Sequence, residues 1–186
     1  MGQYWMPVNL TKREFIAPHR LGTGLKLWEQ LANSPGTGAA LIVLCAAMPE
    51  PRGSGDFDLD ENWHGPERDE AGPMPNDYPA VAKRTIGRWA GDRIALVGDY
   101  AKRGDLLEEW VADGQRIRAA DPADTIYIQC VDYPEDEQEA RTWFEEEHPG
   151  VPWRPFKDVT DDVCRVIEHE LGGTYSGDGW RTWTAT

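Results

Sequence analysis

A proline-rich stretch between residues 49 and 79 sets the main constraint on how this chain can fold. Proline lacks the backbone N–H that helices and central strands use, so this stretch excludes both as continuous elements. The prolines are Pro49, Pro51, Pro66, Pro73, Pro75 and Pro79. We expect a Pro/Gly-rich acidic insertion loop at 49–79 within a single domain at 1–186. Loops of this length are usually either functional or disordered, and both alternatives stay open.

Acidic residues outnumber basic residues in this chain. There are 33 Asp and Glu residues against 19 Lys and Arg residues, which gives a formal net charge of −14. Such a charge opposes binding to nucleic-acid phosphates, so we expect no direct nucleic-acid binding. The longest apolar run, residues 39–48, is about half the length of a bilayer span, and the N-terminus lacks a signal-peptide pattern. We therefore expect no membrane association and a cytoplasmic location.

β-branched and aromatic residues indicate where the strands lie. Pro7 in the first of these segments suggests an edge strand or a bulge. The predicted strands cover residues 3–10, 14–17, 93–97 and 125–131, with a terminal hairpin at 174–184.

Apolar residues at helical spacing indicate the helices. In the segment 23–32, Leu25, Trp28 and Ala32 would share one face, with Thr23 as the N-cap. The segment 37–47 is apolar on all sides, which predicts a helix that is buried all round. A helical turn is expected at 106–112, and a helix over 163–171 can be capped by Asp158 or Thr160.

Strands and helices do not alternate strictly along the chain. We therefore expect an α+β fold, with a mostly antiparallel sheet of about five strands and helices packed against it. A doubly wound α/β fold is the alternative.

Motifs for known cofactors are weak in this sequence. Residues 56–67 place acidic side chains at the spacing of a calcium loop, but Glu61 occupies the position that needs glycine. Residues 36–41 supply two glycines of a dinucleotide-binding fingerprint and lack the third. The four histidines show no metal-ligand spacing, and no serine lies in a nucleophile elbow. We therefore predict no cofactor and no metal.

The three cysteines, Cys45, Cys130 and Cys164, lie in separate segments with apolar neighbours. An odd number of cysteines cannot all pair within one chain. We expect all three to be buried thiols that form no disulfide.

The segment 132–147 is an acidic block in which Arg141 is the single base. Its eight acids are Asp132, Glu135, Asp136, Glu137, Glu139, Glu145, Glu146 and Glu147. Such a block can be a solvated face, or it can imitate nucleic-acid phosphates toward a basic partner protein. We expect it to be exposed, with Trp143 or Phe144 turned inward.

Four segments of the sequence carry a shared set of motifs: Met1-Gly-Gln-Tyr-Trp-Met-Pro-Val-Asn-Leu10, Gly22-Thr-Gly-Leu-Lys-Leu27, Arg52-Gly-Ser-Gly-Asp-Phe57 and Gly87-Arg-Trp-Ala-Gly-Asp-Arg-Ile-Ala-Leu-Val-Gly-Asp-Tyr100. With these segments the chain resembles an uncharacterised family of small proteins from bacteriophages, their bacterial hosts and some lower eukaryotes. Ser54 departs from the glycine-richer loop that is commoner in the family. The resemblance implies a phage or mobile-element protein and attaches no known activity to it.

The segments that carry the resemblance contain a candidate binding site. Its residues are Arg52, Asp56, Arg88, Trp89, Asp92, Asp99 and Tyr100. Asp99 follows a predicted strand, where site residues are common. We expect the start of the 49–79 loop to pack on 87–100 and to bring Arg52 and Asp56 toward Arg88, Asp92 or Asp99. The alternative is that Asp92 and Asp99 cap turns. Arg52 and Arg88 would then neutralise their charges.

Two classes of function follow from these observations. The first is a small acidic cytoplasmic accessory protein that binds a host protein through its acidic surface and exposed tryptophans. The alternative is a small enzyme or ligand-binding protein that uses the Arg and Asp residues around the glycine-containing loop.

Overall fold

A four-stranded sheet organises the computed structural model, which describes residues 2–32, 36–47, 77–118 and 121–171. In spatial order its strands are β3 (Ile94–Gly98), β1 (Trp5–Asn9), β2 (Glu14–Phe15) and β6 (Lys157–Asp158). β1 pairs antiparallel with β2 and β3, whereas β2 pairs parallel with β6. A separate antiparallel hairpin consists of β4 (Glu109–Ala112) and β5 (Gln115–Arg118).

Helices complete the fold. They are α1 (Glu29–Ala32), α2 (Gly36–Cys45), α3 (Tyr78–Thr85), α4 (Glu137–Glu147) and α5 (Thr160–Leu171). Short 3-10 helices occupy Pro18–Leu21, Ala123–Thr125, Tyr127–Gln129 and Pro134–Asp136. The fold is α+β with mostly antiparallel pairing, which confirms the predicted class. None of the described helices is long and apolar enough to cross a bilayer.

The sheet separates two hydrophobic clusters. Successive side chains of a strand point to opposite faces, and the chain through β2 follows this rule. Ile16 packs into a cluster with α2, α3 and α5. Phe15 and Ala17 pack into the second cluster, which includes Met6 and Phe156. The sheet is therefore covered on both faces.

β1 is an interior strand that pairs residue by residue with β3, so neither the edge position nor the bulge that Pro7 suggested is present in it. The strand tolerates Pro7 because the carbonyl oxygen of Pro7 accepts a hydrogen bond from the Ile16 N–H, on the β2 side. Its nitrogen faces the same side, past the end of the two-residue strand β2. The missing N–H therefore removes no hydrogen bond from the pairing with β3.

The predicted helix at 23–32 is mostly wrong, because only Glu29–Ala32 is helical. Thr23 does not cap it, because its hydroxyl donates to the carbonyl oxygen of Pro18. Trp28 is 77% exposed and contributes little to the core. The apolar spacing here thus reflects an irregular surface segment.

α2 is helical as predicted, but it is not buried all round. Val43 and Leu44 face the core, whereas Ile42 and Cys45 are exposed. α2 lies at the protein surface, so one side of it faces solvent. Because the helix has no polar face, the residues on that side are apolar.

Two further predictions assigned the wrong type of secondary structure. The segment 106–112, predicted as a helical turn, contains strand β4. The segment 125–131, predicted as a strand, contains a 3-10 helix at Tyr127–Gln129. The predicted strands at 14–17 and 93–97 and the helix at 163–171 are confirmed, and the Thr160 N–H donates to Oδ1 of Asp158 at 2.7 Å. The terminal hairpin and residues 49–76 lie outside the described residues.

Candidate functional site

Glu14 on β2 binds two of the predicted site residues, Arg88 and Trp89. Its carboxylate accepts hydrogen bonds from Nε of Arg88 at 2.7 Å and from Nε1 of Trp89 at 2.9 Å. Glu14 is 4% exposed and Trp89 is fully buried. Burial by itself raises the pKa of Glu14, but the hydrogen bonds and the charges of Arg88 and Lys12 outweigh it, so the pKa lies below its usual value. This arrangement stabilises the fold.

Asp92 fastens the turn between β1 and β2. Its Oδ2 accepts hydrogen bonds from Nδ2 of Asn9 at 2.8 Å and forms an ion pair with Nζ of Lys12 at 2.7 Å. The side-chain oxygen of Asn9 in turn accepts the backbone N–H groups of Thr11 and Lys12. Asp92 therefore holds a turn, and its cation is a lysine of that turn.

Asp99 and Tyr100 lie at the other end of β3. Oδ1 of Asp99 accepts the backbone N–H of Tyr4 at 3.0 Å, and Tyr100 is 59% exposed. The structure brings Arg88, Trp89 and Asp92 together near the β1–β2 turn and places Asp99 and Tyr100 a strand length away. Arg52 and Asp56 lie outside the described residues, so their approach to these groups stays a prediction.

The acidic face of α4 is exposed, as the sequence predicted. Phe144 is fully buried and packs edge-on against Trp153, with ring centroids 5.2 Å apart. Trp143 is 48% exposed beside the glutamates. Arg141 pairs with Glu145 at 2.8 Å, and no other ion pair among the described residues involves a carboxylate of this helix. The other α4 glutamates are therefore available to a partner.

A second polar cluster lies where the 3-10 helix Pro18–Leu21 meets the chain ahead of α4. Nε2 of His19 is 3.0 Å from the hydroxyl of Tyr133, and Nδ1 of His19 is 3.4 Å from Oδ2 of Asp132. The Nδ1–Oδ2 contact lacks hydrogen-bond geometry, because Nδ1 of His19 has no hydrogen-bond partner among the described residues. Oδ1 of Asp132 is buried and likewise lacks one there. The exposure predicted for the acidic block is therefore wrong at Asp132, whose side chain is only 18% exposed.

The pKa values of Asp132 and His19 are shifted in opposite directions. Burial, Asp158 and Asp136 raise the pKa of Asp132 to about 7, although the nearby Arg20 opposes them. Burial and the charge of Arg20 lower the pKa of His19. Near neutral pH the imidazole of His19 is therefore mostly uncharged, and the carboxyl group of Asp132 is about half protonated.

Sequence reasoning missed this cluster for a simple reason. His19 and Asp132 are far apart in the chain, so no spacing rule joins them. The adjacent pair Asp132-Tyr133 at the start of the acidic block was the one local signal.

The cysteine prediction was right about bonding and partly wrong about burial. All three cysteines lie in the described part of the chain, and no disulfide joins any two of them. Cys130 is buried, Cys164 is partly buried, and Cys45 is exposed on α2. Cys45 lies at the C-terminal end of α2, whose outer side faces solvent. Because α2 is apolar on all sides, the sequence did not indicate which side is exposed.

Among the described residues, no group of three or more His, Cys, Asp or Glu side chains is placed to hold a metal ion. No protein-family model, curated protein or solved structure matches the chain.

Proposed function

We propose that this chain is an acidic accessory protein of the phage or mobile-element type, which binds a basic segment of a host protein in the host cytoplasm. The family resemblance of its first hundred residues supports the origin. The observation that carries the proposal is an exposed tryptophan among unpaired glutamates on α4.

The order of residues on α4 suits the recognition of Lys or Arg side chains. Side chains three and four residues apart are neighbours on a helix surface. Trp143 therefore lies between Glu139 on one side and Glu146 and Glu147 on the other, and all three glutamates are exposed. A cation can contact the indole face and a carboxylate at the same time, which strengthens both interactions.

The charge of the whole molecule supports the same class of partner. A net charge of −14 repels nucleic acid and attracts a basic surface over a long range. Such attraction raises the rate of encounter, whereas an aromatic anchor determines how long the complex lasts.

The alternative function, a ligand site of Arg and Asp residues, has less support. Arg88 already forms an ion pair with Glu14 within the fold, and Asp92 forms one with Lys12. Asp99 caps the backbone at Tyr4. The described members therefore offer no converged pair to a ligand.

Binding of a fluorescent arginine-rich peptide tests the proposal. Trp143→Ala should weaken binding by about 30-fold, because an anchoring aromatic contributes about 2 kcal/mol. Glu139→Gln combined with Glu146→Gln should weaken binding and reduce its dependence on salt.

Trp28→Ala is the matched control, because Trp28 is also exposed but is remote in sequence from the acidic block. It should bind the peptide as the unmodified protein does. Equal affinities for the Trp143→Ala and Trp28→Ala variants would mean that the peptide senses net charge alone, and the proposal would be rejected.

A further inference from the structure

Two buried polar atoms beside the acidic block lack hydrogen-bond partners among the described residues. They are Nδ1 of His19 and Oδ1 of Asp132. Buried polar atoms in folded proteins are nearly always satisfied, and an exception often marks the place of a water or an ion. Here the two atoms belong to adjacent side chains from distant parts of the chain.

The spacing of the two side chains matches a pair of metal ligands. Nδ1 of His19 and Oδ2 of Asp132 are 3.4 Å apart. Zinc binds histidine nitrogen and carboxylate oxygen at about 2.0 to 2.2 Å in tetrahedral geometry, which separates two ligands by about 3.4 Å. A direct hydrogen bond would be shorter and better aligned than this contact.

Tyr133 supplies the supporting contact that metal-bound histidines usually have. Its hydroxyl lies 3.0 Å from Nε2 of His19 and can accept the proton on that nitrogen. This tautomer leaves a lone pair on Nδ1, the atom that faces Asp132. A hydrogen bond to the second ring nitrogen also fixes the orientation of the imidazole.

The local charge favours a cation at this place. Asp158 and Asp136 add negative potential at Asp132. Arg20, the positive group that opposes them, is already paired with Asp158 and Asp161. The side chains of His19 and Asp132 are 29% and 18% exposed, although Nδ1 of His19 and Oδ1 of Asp132 are themselves buried. An ion held between the two side chains would therefore lie just beneath the surface.

We propose that Nδ1 of His19 and the carboxylate of Asp132 bind one divalent ion of the zinc type, with water in its other positions. Two protein ligands make a weaker site than the three or four of a structural zinc centre, and they agree with the finding that no larger ligand cluster exists among the described residues. The ion would link the 3-10 helix Pro18–Leu21 to the segment that leads into α4.

Zinc titration by calorimetry tests this inference. The titrations use a Cys45→Ser protein, because the exposed thiol of Cys45 can bind zinc by itself. We expect one saturable zinc site, which His19→Gln and Asp132→Asn each abolish. Tyr133→Phe should weaken binding by about 10-fold or more. His148→Gln is the control, because His148 is a second half-buried histidine that lies at the end of α4.

Nitrogen NMR of the imidazole rings gives a readout that needs no ligand substitution. Zinc should shift Nδ1 of His19 and leave His148 unchanged, and magnesium should shift neither. Zinc binding that persists in the His19→Gln and Asp132→Asn proteins would overturn the site. A titration in which the His19 nitrogens do not shift would overturn it equally.

Discussion

Gly87, Arg88, Trp89 and Asp92 together contact α2, strand β2 and the β1–β2 turn. The backbone N–H groups of Gly87 and Trp89 donate to the last carbonyls of α2, at Val43 and Leu44. The side chains of Arg88 and Trp89 reach β2, and that of Asp92 reaches the β1–β2 turn. The segment 87–92 thus joins α2 to the sheet, which is a structural role.

Replacing Glu14 tests how much this junction contributes to stability. Glu14→Gln removes the charge that binds Arg88 and should lower the free energy of unfolding by about 2 to 3 kcal/mol. The loss is smaller than for a fully buried pair, because the Arg88 side chain is 22% exposed. Urea unfolding measures it. Glu109→Gln breaks the exposed pair with Arg116 and should cost less than about 1 kcal/mol.

The same carboxylate predicts how stability depends on pH. Its folded-state pKa is below its usual value of 4.5, so it stabilises the fold above that pH and loses this contribution as the pH falls toward the folded-state pKa. Urea midpoints between pH 6 and pH 3 should therefore fall more steeply for the unmodified protein than for Glu14→Gln. Parallel curves would show that Glu14 titrates alike in both states.

Adding a single methyl group at Gly87 should greatly lower the free energy of unfolding. Its φ is +71°, and an added Cβ would lie 2.5 Å from the carbonyl oxygen of Ala46. Gly104 also has a positive φ, of +91°, but a Cβ there meets nothing within 4 Å. Gly104→Ala should cost about 1 kcal/mol through backbone strain alone, whereas Gly87→Ala should cost about 3 kcal/mol or more. Thermal unfolding of both variants separates the overlap from the strain.

The cysteines should react with a thiol reagent in the order of their exposure. Cys45 is exposed and should be labelled in the native protein. Burial raises the pKa of the Cys130 thiol well above its usual value, so this residue should react only after unfolding. Mass spectrometry of timed samples gives the order, and early labelling of Cys130 would contradict the structure.

Helix α4 carries two adjacent aromatic residues with different roles: Phe144 stabilises the fold, and Trp143 is available for binding. Phe144 is buried, and Phe144→Ala should lower the free energy of unfolding by about 3 to 5 kcal/mol. The neighbouring Trp143→Ala should change it by less than about 1 kcal/mol, because the indole is half exposed. Equal losses in urea unfolding would mean that Trp143 belongs to the core and cannot anchor a partner.

Local patterns predicted some elements and failed for others. α5 was predictable, because Val163, Val166 and Ile167 follow helical spacing behind a capping Asp158. The β4–β5 hairpin has an Asp113-Gly114 turn with positive φ at both residues, a strong hairpin signal that the prediction of a helical turn overlooked.

The segment 125–131 shows why β propensity can mislead. Thr125, Gln129 and Cys130 direct their side chains to carbonyl oxygens three or four residues earlier in the chain. These bonds satisfy backbone acceptors locally, so the segment forms 3-10 turns although its residues are β-prone.

The fold class of the whole molecule could be predicted from the sequence, whereas the polar clusters could not. The order of strands and helices indicated an α+β fold. Glu14 lies 74 residues before Arg88, and His19 meets Asp132 across an even longer separation. Contacts over such distances depend on how the sheet closes, and no local pattern in one sequence reports that.

The parallel pairing of β2 with β6 has a consequence for synthesis on the ribosome. β1 and β2 are synthesised well before β6, which completes the sheet edge, and before α5, which completes one of the two clusters. At about 5 to 20 residues per second, the interval is on the order of 10 to 30 s. During it the apolar side chains of Met6, Val8 and Phe15 lack part of their final cover, which includes Phe156 beside β6. The growing chain therefore presents a binding segment to chaperones that the finished protein conceals.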